Sequence, residues 1–339
     1  MKKNPANPLI LKILILTIIP VLAAAETEDV AKKERTDVRI EGILEVGIDI
    51  NNKVDEDKTN YNKIGFGKIE ISARPAKRVR AEFGFEYDRG DDELVIDKLY
   101  GQYSFANFGL VRAGYMKKAF GLEEKAGLDE RYFRKRSIIN DGLEDLQFLD
   151  HDLTFQYRYR LNENWRLIGG FSWMDTARYL QNYSIEYGTK NTDLIFSTII
   201  RHYNPPEKSI TTFVSSLSFK HAAKLFVSET ELTFGLNPRI KSFDDRDAFV
   251  WGVRMQEYFP IKVKTETLRQ IIPIAEAALY SDDMESKDFD AQLRAGLTLG
   301  FAKNSAFQWR NTYGTVLRIQ DSEKELRRRR FDSEVVVIF

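Results

Sequence analysis

Cysteine is absent from the 339 residues, and histidine occurs three times. The first absence excludes a disulfide scaffold, thiolate-bound zinc, an iron–sulfur cluster and a cysteine nucleophile. The second leaves little for a histidine-rich metal site. Net charge is also absent, with 51 Lys and Arg against 51 Asp and Glu, where a dedicated nucleic-acid binder carries a basic excess. Long apolar runs are scarce, and a mean hydropathy of −0.40 excludes a bundle of membrane helices. No Gly-rich phosphate loop, H-E-x-x-H or G-x-S-x-G pattern occurs. What the chain does have is aromatic side chains: 23 Phe, 15 Tyr and 4 Trp, in a composition 43% hydrophobic and 30% charged. That is too apolar for a disordered chain.

The one sustained apolar run is Leu9 to Leu22, broken by Lys12 and Thr17. Lys2 and Lys3 precede it, and Ala23-Ala24-Ala25 and the acidic Glu26-Thr27-Glu28-Asp29 follow. This is the layout of a cleaved secretory signal peptide over residues 1–25. The run is short against the roughly 20 residues that span a bilayer as a helix. No cysteine follows it, so a lipoprotein anchor is not expected. Residues 26–36 then form an N-terminal periplasmic segment and 37–339 the folded domain. Losing Lys2, Lys3 and Lys12 takes the basic count from 51 to 48 against 51 acidic residues, so the remainder carries −3.

Beyond the leader the chain alternates. Val79, Ala81, Phe83, Phe85 and Tyr87 interleave with Arg80, Glu82, Gly84 and Glu86. Leu153, Phe155, Tyr157 and Tyr159 interleave with Asp152, Thr154, Gln156, Arg158 and Arg160, and Phe289 to Phe301 repeats the pattern. A period of two places the two sets on opposite faces of a strand. About ten residues is the length that crosses a bilayer as a tilted barrel strand.

Short turns are expected at 74–77, 106–109, 161–164, 189–192, 221–224, around Pro260 and at 302–305. Longer charged segments fall at 51–60, 89–93, 118–150, 175–181, 204–208, 237–246, 281–287 and 320–327. Seven short and eight long connections predict an all-β, transmembrane antiparallel β-barrel of about 16 strands; 14 or 18 stay open because Pro273 lies inside the stretch 261–280. Aromatics gather beside the turns: Phe105 and Phe108, Tyr159 and Trp165, Tyr258 and Phe259, Phe301 and Phe307. Such positions suit a girdle at the membrane border. The last strand ends on Phe339, which has the parity of its apolar set and resembles the terminal signal of Gram-negative outer-membrane barrels.

The second parity carries charge of both signs, including Arg39, Glu41, Glu45, Asp49, Arg80, Glu82, Arg112, Arg158, Glu229, Glu231, Arg254, Asp290, Arg294, Arg310 and Glu334. Those charges require a watery interior or partners across the wall. The long third external segment, Lys118 to Asp150, is apolar enough to be ordered, with Phe120, Leu143, Leu146 and Phe148 among its residues. It is expected to fold inward and constrict the lumen. Arg131, Arg134, Lys135 and Arg136 would bring cations to that constriction, with Arg112 and Arg158 on the wall and Lys117 and Lys118 at the root of the loop. Glu123, Glu124, Asp129, Glu130, Asp141, Glu144, Asp145 and Asp150 share the segment, so the sign of its preference is left open.

The stretch Arg112-Ala113-Gly114-Tyr115-Met116-Lys117-Lys118-Ala119-Phe120-Gly121-Leu122-Glu123-Glu124 resembles the phosphate-selective porin O/P family. That family has Arg-x-Gly, a Lys, then Pro-Phe-Gly-Leu-Glu leading into its constricting loop. Val95 to Tyr100 is similar to its preceding strand, and Arg131 to Arg136 stands where it has basic loop residues. Ala119 takes the place of the Pro, and no Arg precedes Gly142 at Asn140-Asp141. The resemblance covers roughly Val95 to Trp173. It implies a homotrimeric outer-membrane channel for small hydrophilic solutes and ions, among them anions such as phosphate, without enzyme activity or cofactor. Membrane lipid and lipopolysaccharide are its expected surroundings, and nucleic acid is not an expected partner. Two alternatives stand beside it: a barrel with a closed lumen serving as a surface structure, and a barrel hydrolase using His151 with Asp152 to polarise a water. The run Arg327 to Arg330 is read as a basic rim at a loop-to-strand junction, facing lipopolysaccharide.

Overall fold

The computed structural model describes residues 37–53, 58–88, 93–105, 109–123, 133, 135–175, 177–204, 209–243, 246–263, 265, 267–286, 288–301, 307–320 and 323–338. The expected leader, the segment 26–36, Phe108, Phe339, Arg131 and Arg134 lie outside them.

Among the described residues, sixteen antiparallel strands run in chain order, the short paired segment Ile261–Lys262 continuing the twelfth: β1 (Asp37–Lys53), β2 (Lys58–Ala76), β3 (Val79–Asp88), β4 (Glu93–Phe105), β5 (Gly109–Lys117), β6 (His151–Arg160), β7 (Trp165–Trp173) and β8 (Arg178–Gly188). The second half is β9 (Thr192–Tyr203), β10 (Ile210–Ala222), β11 (Val227–Leu236), β12 (Phe249–Tyr258), β13 (Leu268–Ser281), β14 (Phe289–Phe301), β15 (Phe307–Gln320) and β16 (Glu323–Ile338). Each strand pairs with its chain neighbours, and β1 pairs with β16 from Ile43–Ile338 to Lys53–Arg328, closing the barrel. Closure leaves no sheet edge. Among the described residues, the helices α1 (Ile138–Asp145) and α2 (Pro238–Phe243) sit in the long connections.

The period of two sorts the faces as expected. Phe155, Trp173 and Leu293 are 53%, 58% and 57% exposed on the outside, while Glu82, Gln156 and Arg254 are buried on the inside. An outer surface this apolar needs an apolar solvent. Ring pairs mark the turn end of the barrel: Trp165 with Tyr187, Phe226 with Phe259, and Phe301 with Phe307 at 5.8 Å. Tyr258 departs from the girdle. It faces inward and packs with Val227, Ile272, Ile274 and Phe133.

Several boundaries differ from expectation. No turn forms at Pro260: register continues from Tyr258–Ile274 to Ile261–Ile271, and the chain turns after Lys262. Proline lacks only its own N–H, which a strand end tolerates. Pro273 does lie inside one strand, β13. The loops expected at 51–60, 175–181 and 320–327 are shorter, because pairing reaches Lys53–Lys58, Arg178 and Gln320–Glu323. β10 runs through His221 to Ala222. Arg327 to Arg330 therefore belong to β16 rather than to a rim, with Arg330 ion-paired to Asp49 and Asp332 on the inner wall. Ladder pairing needs only the correct parity, so a charged strand forms as readily as an apolar one where its side chains find water or partners.

Candidate functional site

The connection from Lys118 to Asp150 is long because it enters the barrel. Phe120, Phe148 and Leu143 are fully buried, with Ile139, Leu146 and Leu149, against Leu180, Ile199, Val214, Val250, Ala278 and Tyr280 of the inner wall. The wall makes room with small hydroxyl side chains. Thr154 bonds Ser172 at 2.8 Å, Ser184 bonds Ser197 at 3.0 Å, and Ser216 bonds Ser218 at 3.0 Å. Burial of the loop's apolar side chains supplies the docking energy, at about 1.5–3 kcal/mol for each large one.

Polar contacts fix where the loop sits. Gly121 has φ +53°, and a Cβ there would lie 2.1 Å from Glu231 Oε1. Only glycine meets both demands. The approach lets the backbone N–H groups of Leu122 and Glu123 donate to Glu231 Oε2 at 3.2 and 3.4 Å. Glu123 in turn accepts from the Ser137 backbone N–H at 2.6 Å and its hydroxyl at 2.5 Å, at the N-cap of α1. Burial works against ionisation of Glu123, but Arg254, Arg294 and the Ser137 bonds outweigh it and hold the carboxyl below its usual range. From the wall, the Arg294 guanidinium donates to the carbonyls of Lys135 and Arg136, and Arg201 to that of Leu146 at 2.8 Å. Desolvation, with the Glu123 carboxylate adding to it, raises Asp141 of α1 to about 6.

Across the lumen the wall is ionic. Lys68 bridges Asp97 and Glu70, Lys98 bridges Glu70 and Glu82, and Arg310 lies 3.5 Å from Glu45 and 4.0 Å from Glu334. Three cavities follow one another past the loop. The first, about 520 Å³, lies at the loop end beside Asp145, Asp282, Arg239 and Arg318. The second, about 210 Å³, separates the loop from β14–β16 and is lined by Lys135, Arg136, Arg294, Arg328 and Arg330 with Asp141 and Asp332. The third, about 320 Å³, opens at the turn end beside Asn164 and Gly188. Ile138, Asp141 and Arg328 line both the first and second, and Phe133, Lys135 and Arg294 both the second and third.

Of the expected site residues, Lys135 and Arg136 do reach the narrow cavity. Arg112 faces inward at the turn end, with Nε donating to Gln102 at 2.8 Å and its guanidinium over the Tyr100 ring. Arg158 is inward too, bonded to Gln156 at 2.7 Å. Two expectations fail. Lys118 is buried, with Nζ 2.5 Å from Asp152, so its charge is already neutralised. Lys117 has the parity of Ala113 and Tyr115, the outward face of β5. The His151–Asp152 pairing also fails, because His151 Nε2 faces Asp97 at 3.3 Å while Asp152 faces Lys118. Sequence reasoning named neither Glu276 nor Arg328 among the lumen residues, and it set Arg330 and Asp332 on the inward parity of the last strand without placing them at the constriction. Inward parity could have marked Glu276 with Ala278 and Arg328 with Arg330 and Asp332, since the bulge between Val316 and Leu317 falls before Arg328 and leaves their phase unbroken.

No known protein family matches the chain, and no curated protein does. Solved structures do. The anion-selective porin of Comamonas acidovorans is similar with a TM-score of 0.66 and 10% identity, over 90% of this chain and 100% of that one. The outer-membrane channel DcaP of Acinetobacter baumannii gives 0.65 and 10%, over 91% and 99%. OmpF of Salmonella typhi, in complex with daunomycin, gives 0.59 and 9%, over 89% and 97%. At such identities the likeness is one of fold: the closed 16-stranded barrel of Gram-negative outer-membrane porins.

Proposed function

We propose that the chain is an outer-membrane porin, a water-filled channel for passive diffusion of small hydrophilic solutes and ions. The observation that carries this reading is the series of three cavities past an inward-folded loop, within a closed barrel whose inner face is charged. A 16-stranded barrel is wide enough for an aqueous path, and the fold of the porin neighbours supports it. The finer reading is a preference for anions, phosphate among them. It rests on the narrow cavity, where Lys135, Arg136, Arg294, Arg328 and Arg330 outnumber Asp141 and Asp332. Guanidinium and ammonium groups there would favour a permeating anion. Export by a cleaved leader, homotrimeric assembly and contact with lipopolysaccharide complete the proposal.

Single-channel recording on purified, refolded protein tests it. Discrete conductance steps are expected, with a zero-current potential in a salt gradient on the anion side. Replacing Lys135 and Arg136 by Gln moves that potential toward cations. Absence of steps would sink the channel reading and favour a closed lumen.

A further inference from the structure

The third cavity differs from the other two in how its charges are used. Arg254 is held by Glu276 at 2.9 Å, Lys220 by Glu229 at 3.0 Å, and Arg294 by Glu276. Those pairs build the walls. Arg166 of β7, Lys135 of the loop and Asp193 of β9 also line the cavity, yet none forms an ion pair or side-chain hydrogen bond among the described residues. Arg166 and Lys135 are exposed, and Asp193 is half-buried. Unpaired cations and an unpaired carboxylate thus share one cavity of about 320 Å³. Its apolar lining comes from Phe133, Leu122 and Ile195.

We infer that this cavity is a subsite for small zwitterionic solutes, amino acids or dipeptides with an apolar body. The inference rests on the channel reading above. A solute carboxylate would meet Arg166 or Lys135, its ammonium Asp193, and its side chain Phe133. A simple anion gains from the cations but meets Asp193, Glu186 and Glu229 in the same space. A neutral solute gains from neither sign. A dipolar molecule alone satisfies both, which is charge complementarity acting as selection. The volume lies at the small end of ligand sites, suited to a solute of a few residues at most.

The test is a titration of single-channel ion current with dialanine, using capped alanine (N-acetyl, N-methylamide) as the uncharged probe. Dialanine should reduce the current to a saturating level, and the capped compound should not. Arg166→Gln and Asp193→Asn should each raise the half-blocking concentration roughly three- to fivefold, the scale of one partly exposed charge contact. Conductance without dialanine should keep its stepwise form in both variants. Steps with no saturable block, or block equal for the two probes, would overturn the subsite alone. An unchanged half-blocking concentration in both variants would also overturn it. Absence of any steps would overturn the channel reading and the subsite with it.

Discussion

The two halves of the inner wall obey one periodicity and carry different chemistry. On β8–β13 the inward positions that meet the loop include Leu180, Ile199, Val214, Val250, Ala278 and Tyr280, with small hydroxyl residues such as Ser184, Ser197 and Ser216 between them and Arg201, Glu231 and Arg254 as polar anchors. On β1–β4 and β14–β16 they are Lys68, Glu70, Glu82, Lys98, Arg294, Arg310, Arg330 and Asp332, tied in ion pairs. Parity therefore tells inside from outside, while the kind of inward residue tells what lies against it. Apolar and small residues mark the wall that the loop covers. Ion-pair ladders dominate the facing wall, while Arg294 also reaches the loop and Arg254 with Glu276 carries a pair onto β12–β13.

The ionic wall should be hit hardest through its most enclosed member. Arg310 is 1% exposed, and Arg310→Met leaves the Glu45 and Glu334 carboxylates buried without it. Breaking such a pair costs about 3–5 kcal/mol. The expected outcome is a clear drop in the temperature at which the folded band shifts on a detergent gel. The covered wall should respond differently. Leu143→Ala opens a hole between loop and wall worth about 2–5 kcal/mol, and that loss falls on the docking of the loop rather than on the strand ladder. Cleavage between 118 and 150 by added protease, with the gel shift temperature kept within a few degrees, would bear this out.

How much of this was legible in the sequence follows the same division. Alternation located most strands within a few residues, with β13 beginning at Leu268 rather than at 261, and the bounds of the loop, Lys118 and Asp150, agree with the last residue of β5 and the first of β6. Local pattern could not show that Glu231, over a hundred residues away, receives the Leu122 and Glu123 N–H groups, because barrel register alone brings them together. Nor could it separate Lys118 from Lys135. Both are loop lysines, but one is spent on Asp152 and the other lines the narrow cavity. The run Arg327 to Arg330 looked like a loop because charge was taken for exposure, whereas Arg330 finds Asp49 across the barrel seam.

Smaller effects sharpen the comparison at the narrow cavity. Asp141 has its carboxyl raised to about 6, so it keeps its proton below that pH and is ionised above it. Lowering the pH from about 7 to about 5 removes one negative charge beside Lys135 and Arg294. The zero-current potential should move toward anions over that interval, and Asp141→Asn should flatten the change. At the open rim, Arg39 and Glu41 pair while 70% and 61% exposed, a geometry of small worth. Arg39→Gln should leave both the gel shift and the conductance as they were.

The absence of cysteine from the chain makes the position of the loop directly testable. A Cβ built on Gly252 of β12 lies 2.9 Å from Ile139 Cγ1 of α1, which puts the two Cβ positions near the spacing of roughly 3.5–4.5 Å that a disulfide requires. The double variant Ile139→Cys with Gly252→Cys should cross-link on oxidation and conduct in steps of the same size before and after reduction. Failure to cross-link in a folded barrel, or a step size that changes when the bond is closed, would contradict a loop that rests on the inner wall beside an open channel.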